Sequence, residues 1–317
     1  MSMDPIGGYF SLELSHLEEF HSGAIALNTG RNCLEYILRS RGYHKVYIPY
    51  YTCDVVLEPF HKLGVEYEFY HIDEQLEIAE DIVLSRDEAL MYTNYFGLKQ
   101  QYVEYLSERY GQHLIIDNTQ AFYARSIAGA DTFYTCRKFF GVPDGAYLYT
   151  NSKVDFELEQ DVSYDRMSFL LKRLDLGAEA AFRDFREQSE RLAGQPIKLM
   201  SKLTKRLLQS IDYHTDAQRR RENFNYLHQH LANTNQLQLT LGDEDVPMVY
   251  PYFCDDDKLR EKLIDNKVFV ARYWPNVLRW TSAGDWEHRL ALQIQPLPLD
   301  QRYDLDDMDW IIKTVLS

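Results

Sequence analysis

Short apolar runs alternate with longer mixed segments through the first half of the chain. The runs predict strands at residues 24–27, 45–49, 65–70, 89–93, 113–116, 131–135 and 146–149. Apolar residues at helical spacing predict helices over residues 31–42, with Gly42 as the stop, and over 52–63 and 100–110. This alternation favours an α/β fold, with a mostly parallel sheet covered by helices on both faces.

The pattern changes after residue 154. Charged segments with helical spacing run to about residue 231 and are broken at Gly194-Gln195-Pro196. Shorter units then return, with strands predicted at 248–250 and 268–270 and helices at 256–263 and 304–316. We therefore expect three parts: residues 1–154 as the main part of a large α/β domain, 155–235 as a helical segment joining the domains, and 236–317 as a small α+β domain.

Composition removes several classes of function. The 317 residues include 34 Lys and Arg against 49 Asp and Glu, a net charge of −15, which disfavours general binding to nucleic acid or anionic membranes. The four cysteines lack zinc-ligand spacing, and their number is typical of reduced thiols. The histidines show no ligand spacing either, and neither a signal peptide nor a membrane span is visible. We expect a cytoplasmic protein without a metal site.

Residues capable of chemistry follow three of the predicted strands, where ligands of parallel sheets bind. The turn 28–32 (NTGRN) contains Gly30, Asp117 follows the strand at 113–116, and Lys138 follows the strand at 131–135. Each has a simple structural interpretation when taken alone. The glycine suits a tight turn, the aspartate a helix cap, and the lysine a solvated surface.

Taken together, the three positions predict a site for pyridoxal 5'-phosphate (PLP). Free N–H groups at the helix start near Gly30 suit a phosphate. A carboxylate such as Asp117 can pair with the pyridinium nitrogen. Lys138 lies among Cys136, Phe139 and Phe140, and desolvation there would lower its pKa and make it a nucleophilic amine able to form a Schiff base.

Several segments resemble the DegT/DnrJ family of PLP-dependent sugar aminotransferases. They are 28–34 (NTGRNCL), 47–53 (YIPYYTC), 116–121 (IDNTQA), 137–146 (RKFFGVPDGA), 297–303 (LPLDQRY) and 306–308 (DDM). The resemblance runs, with gaps, from about residue 23 to the end of the chain. It implies PLP fold type I, with a mostly parallel mixed sheet flanked by helices and a smaller C-terminal domain.

The resemblance also implies roles for individual residues. Lys138 would form the Schiff base and shuttle the proton, Asp117 would hold the pyridinium, and Gln120 would reach the phenolic oxygen of the cofactor. The phosphate ligands would be Thr29, Gly30, Arg31 and Thr135. The aromatic that stacks on the ring is replaced by Cys53 in strict register, and Tyr51 is the alternative.

Three further residues are candidates for contact with the substrate. Asn94 and Tyr95 follow a predicted strand, although a tight turn explains them equally well, and Tyr273 could form a substrate wall or pack in the core. The implied activity is transfer of an amino group from an amino acid, glutamate being the expected donor, to a nucleotide-linked keto-sugar for surface polysaccharide synthesis. A homodimer is also implied.

The alternative is a catalytically silent PLP-fold protein with a binding or regulatory role. It is motivated by departures from the family, such as Pro143-Asp144 in place of a Gly-Glu pair and Phe133 in place of a serine before the lysine. A related branch that dehydrates sugars has histidine in place of the lysine. Lys138 therefore favours amino transfer over dehydration.

Overall fold

A seven-stranded mixed sheet forms the centre of the molecule in a computed structural model that describes residues 6–238 and 240–317. The predicted first and third domains include residues 1–5 and 239, which lie outside the described residues. The strands are β1 (Ile25–Leu27), β2 (Lys45–Pro49), β3 (Glu66–Tyr70), β4 (Glu88–Thr93), β5 (Leu114–Asp117), β6 (Asp131–Thr135) and β7 (Ala146–Tyr149). Their order is β1-β7-β6-β5-β4-β2-β3, and only β7 runs antiparallel to its neighbours. The prediction of a mostly parallel sheet is confirmed.

Helices cover both faces of this sheet, as the sequence predicts. They are α1 (Gly30–Arg41), α2 (Leu57–Leu63) and α3 (Gln100–Tyr110). Along β4, Ala89 and Met91 join the apolar cluster that contains α1, while Leu90 and Tyr92 join the cluster that contains α3. A central strand that is buried on both sides reads as a continuous apolar run.

The first helix shows why its boundaries could be predicted. The hydroxyl of Thr29 accepts a hydrogen bond of 3.2 Å from the backbone N–H of Asn32, and so caps the start of α1. Gly42 ends the helix in the left-handed conformation, with φ at 67°, and its N–H bonds the carbonyl of Leu38. This capping fixes the start of α1 next to the carboxyl ends of the central strands.

Helices and a small second sheet make up the rest of the molecule. The helices are α4 (Ser168–Leu176), α5 (Ala178–Glu190), α6 (Lys202–Leu208), α7 (Tyr213–Leu231), α8 (Leu259–Asp265), α9 (Val277–Trp280), α10 (Trp286–Gln293) and α11 (Leu305–Leu316). The second sheet pairs β8 (Tyr250–Phe253) with β9 (Ile294–Leu297) in antiparallel register. Over the described residues, none of the helices combines the length and the apolar character that a membrane crossing requires.

One strand prediction in the C-terminal part fails and another has shifted bounds. The segment 268–270 is not a strand: Val268 and Val270 are buried and Phe269 is exposed, but packing produces this alternation without a neighbouring strand. The strand expected at 248–250 begins only at Tyr250 and runs to Phe253, while the N–H of Met248 donates to the carbonyl of Phe96 in the turn after β4. The predictions also missed β9, α9 and α10.

Candidate functional site

A cavity of about 220 Å³ lies at the carboxyl ends of β4, β5 and β6, beside the N-terminus of α1. Thr93, Asp117 and Thr135 are the last residues of these three adjacent strands, and all three line it. The predicted residues that the structure brings together here are Thr29, Gly30, Arg31, Cys53, Asp117, Thr135 and Lys138. Parallel neighbours place their carboxyl ends at one edge of the sheet, so residues distant in sequence meet.

Lys138 extends into the cavity, where its Nζ donates a hydrogen bond of 2.9 Å to the hydroxyl of Thr119. The side chain touches the solvent in the cavity and is therefore exposed by surface area, but protein atoms surround it on its other sides. This desolvation lowers the pKa of the amine, while the charge of Asp117 and the thiol of Cys53 oppose the shift. A lowered pKa increases the neutral, nucleophilic fraction of the amine at neutral pH.

Asp117 is buried, with 5% of its surface exposed. Its Oδ1 accepts a hydrogen bond of 2.8 Å from the backbone N–H of Thr119. Burial raises the pKa of the carboxyl, and the positive charge of Lys138 and the hydrogen bonds of Thr119 act against this. Both interpretations of the aspartate therefore hold locally, because it orders the turn after β5 and also presents a carboxylate to the cavity.

The start of α1 forms another wall of the cavity. The N–H groups of a first helical turn carry partial positive charge and favour an anion. A Cβ built on Gly30 would lie 3.6 Å from the Thr119 methyl and 3.9 Å from Phe133, so the glycine keeps this space open without being required sterically. The guanidinium of Arg31 forms an ion pair with the carboxylate of Glu58 at 2.8 Å.

The loop that follows Lys138 is fixed by Gly145. Its N–H donates to the carbonyl of Asn28 at 2.8 Å, and its carbonyl accepts from the N–H of Cys136 at 3.0 Å. Gly145 has φ at +103°, and a Cβ there would lie 2.8 Å from the methyl of Thr204. Only glycine fits this position without strain. The contacts tie the turn that carries Lys138 to the start of α1.

Two of the predicted cofactor ligands do not line the cavity. Tyr51 is fully buried, with its ring 5.6 Å from that of Tyr95 and 4.9 Å from that of Trp274. Gln120 is fully buried as well, and its Oε1 accepts a hydrogen bond of 2.8 Å from the backbone N–H of Phe96. The backbone contact holds only the Oε1 of Gln120, because among the described residues the Nε2 of Gln120 and the hydroxyl of Tyr51 are buried without a hydrogen-bond partner.

The three candidate substrate residues also lie behind the cavity wall. Asn94 accepts a hydrogen bond of 3.0 Å from the N–H of Lys99, and the hydroxyl of Tyr95 donates to the carbonyl of Tyr51 at 2.9 Å. Tyr273 packs with its ring 5.3 Å from that of Trp274. Asn94 therefore stabilises the turn after β4, as the turn interpretation expects, and Tyr95 and Tyr273 pack in the core.

Sequence reasoning missed several residues that line the cavity. They are Asn28, Thr52, Thr93, Thr119, Arg137 and Trp274. Thr93 ends a predicted strand and Thr119 follows Asp117 by two residues, so the rule for strand ends could have found both. Trp274 reaches the cavity from the C-terminal part of the chain, a placement that only the tertiary fold reveals.

The fold is shared with enzymes of known structure. Sugar aminotransferase CalS13 from Micromonospora echinospora is 15% identical, with a TM-score of 0.62 over 92% of this chain and 86% of the other. A DegT DnrJ EryC1 StrS aminotransferase from Brucella abortus is 16% identical, with a TM-score of 0.59 over 92% and 84%. The E coli GDP-4-keto-6-deoxy-D-mannose-3-dehydratase, with bound hydrated PLP, is 15% identical, with a TM-score of 0.62 over 92% and 87%.

At these identities, the likeness establishes the fold. Neither the protein-family models nor the curated proteins provide a match to the sequence. The similar structures are of the type that the sequence segments resemble, and they cover nearly the whole chain. The chain therefore has PLP fold type I, as the sequence predicts.

Proposed function

We propose that the protein is a PLP-dependent aminotransferase that moves an amino group from an amino acid to a keto-sugar. The observation that carries this proposal is the presence of Lys138, with its lowered pKa, and the buried Asp117 in the lining of one cavity. A nucleophilic amine, a carboxylate and a helix N-terminus are the groups that PLP needs. Structural similarity to sugar aminotransferases supports the assignment.

The residues present fit the cofactor. The start of α1, from Thr29 to Arg31, together with Thr135, would hold the phosphate, Asp117 would hold the ring nitrogen, and Lys138 would bind covalently. When bound, PLP supplies an electron sink for the carbon that carries the amino group.

The chain's own residues then control the proton. The free amine of Lys138 would accept a proton at Nζ and return it, because its lowered pKa is closer to neutral. The hydroxyl of Thr119 holds that nitrogen in place at 2.9 Å. With the cofactor bound, the negative charge of Asp117 would favour a proton on the ring nitrogen.

We further propose glutamate as the donor and a nucleotide-linked keto-sugar as the acceptor, in surface polysaccharide synthesis. The site has space for an acceptor that is larger than a free sugar, and this space supports a nucleotide-linked substrate. Arg137 and Lys138 line both the cavity and an adjoining groove of about 410 Å³, whose walls include Phe169, Phe182 and Phe185.

We propose a homodimer from the family resemblance. Light scattering at micromolar concentration with PLP present tests this proposal, and a monomer would contradict it.

Spectroscopy of the protein mixed with PLP and amino acids tests the proposed function. We expect a visible absorption band that glutamate removes and that a suitable keto-sugar nucleotide restores. Lys138→Gln should abolish the band, and Lys267→Gln, an exposed lysine paired with Glu179, should leave it unchanged. A stable band that no amino acid removes would favour the catalytically silent alternative, and the absence of a band would exclude both.

A further inference from the structure

Arg137 stands at the junction of the cavity and the adjoining groove and lines both. The side chain is held from one side by α5. Its Nη2 donates a hydrogen bond of 3.0 Å to the hydroxyl of Ser189, and its guanidinium lies 5.5 Å from the ring of Phe185. These contacts orient the guanidinium but supply no negative charge.

Three nearby arginines differ from Arg137 in this respect, although Arg173 and Arg220 of the groove also lack an ion pair within the described residues. Arg31 pairs with Glu58 at 2.8 Å, Arg302 pairs with Asp300 at 2.6 Å, and Arg166 pairs with Asp161 at 2.7 Å. Within residues 6–238 and 240–317, no carboxylate forms an ion pair with Arg137. Desolvation lowers its pKa to about 10, and the positive charge of Arg31 adds to this effect while Asp144 opposes it.

An arginine in this position remains charged at neutral pH and is only partly compensated. A desolvated charge without a partner is costly, and an incoming anion offsets that cost. The planar guanidinium can donate two parallel hydrogen bonds to a phosphate or a carboxylate. Its neighbour in the chain is Lys138, and Gly30 and Thr135 line the same cavity.

We propose that the guanidinium of Arg137 binds an oxyanion of the ligand in this cavity. The oxyanion is either the phosphate of the cofactor or the carboxylate of the amino donor. The identity of these two ligands rests on the proposed function. Because inorganic phosphate is also an oxyanion, the role of Arg137 can be measured without any reaction.

Four probes separate the sources: PLP, pyridoxal (the same aldehyde without phosphate), inorganic phosphate by calorimetry, and glutamate. If Arg137 binds the phosphate, Arg137→Gln weakens binding of PLP and of inorganic phosphate about tenfold or more and leaves pyridoxal unchanged. If it binds the donor, the affinities for PLP and phosphate are unchanged, and the glutamate concentration that half-removes the visible band rises by a similar factor.

The matched control is Arg186→Gln, which removes the same charge from an exposed arginine of α5 that lies near Glu190. Thermal unfolding checks that each variant folds. Should Arg137→Gln fail to fold, Arg137→Lys keeps the charge but loses the paired donors, and a smaller loss of affinity is then expected.

Equal affinities of the Arg137 variant, the control and the unchanged protein for all four probes would overturn the proposal. Arg137 would then serve only to attach α5 through Ser189 and Phe185. If the unchanged protein binds none of the probes, the proposal is overturned as well. Binding of phosphate that depends on Arg137 but is not accompanied by a visible band would sustain the proposal and reject the proposed function.

Discussion

Replacing Asp117 with asparagine separates its electrostatic role from its structural one. Asparagine keeps the shape and can still accept the hydrogen bond from the N–H of Thr119. It caps a turn about as well as aspartate does. The substitution removes the negative charge and replaces one acceptor oxygen by an NH2 donor, and no other acidic side chain among the described residues lines the cavity to replace the charge.

The magnitude follows from the burial of this carboxylate. A hydrogen bond to a charged group contributes roughly 1.5–3 kcal/mol, and the upper end applies because Asp117 is only 5% exposed. A loss of about 3 kcal/mol in the transition state slows the reaction roughly a hundredfold. The free energy of unfolding should not fall, because burial already disfavours the charged form of the Asp117 carboxyl and raises the pKa of this group.

The assay is the single-turnover reaction with glutamate, followed by the loss of the visible band. Thermal unfolding is measured in parallel on the same samples. Asp87→Asn is the control, because Asp87 has a 64% exposed side chain and precedes the amino end of β4, opposite the cavity. A rate for Asp117→Asn equal to that of the control would refute the assignment and leave only the capping role.

Two further predictions concern stability. Asp131, whose side chain is fully buried, accepts two hydrogen bonds from Arg41 at 2.8 and 2.7 Å, so Asp131→Ala should lower the free energy of unfolding by about 3–5 kcal/mol in urea titrations. Glu244→Gln, in the exposed pair with Arg125, should cost less than about 1 kcal/mol, and equal losses would contradict the reasoning. Burial lowers the pKa of His21 to about 4 from its ordinary 6.5, so its neutral form is favoured in the folded state. Its contribution is therefore complete above pH 6.5 and is lost as the pH falls towards 4, by up to about 3 kcal/mol, and His21→Phe should flatten this part of the urea-unfolding pH profile.

Local pattern predicted the elements of the large sheet well. The observed limits of β2, α3, β6 and β7 coincide with those expected from the sequence. Strands buried on both faces give continuous apolar runs, and capped helices give clear stops, so both signals lie within a short window. The segment 268–270 has the same apolar character but lies where no strand is available to pair with it.

Some residues of the site could be predicted from the sequence, and others could not. Lys138, Asp117 and Gly30 could be identified because each lies at the carboxyl end of a strand or within three residues of it, and the sheet topology then brings the three together. Gln120 could not be placed, because its contact with the backbone of Phe96 depends on how the turn after β4 folds back. The position of Trp274 depends on contacts between distant parts of the chain, which short-range spacing does not record.

Covalent attachment of PLP to Lys138 is the central claim, and chemical trapping tests it most directly. The protein is saturated with PLP, reduced with borohydride and digested, and the modified peptide is identified by mass spectrometry. Desolvation of Nζ and its position beside Asp117 predict that the label is found on Lys138. A label on another lysine, or none in PLP-saturated protein, would contradict the account.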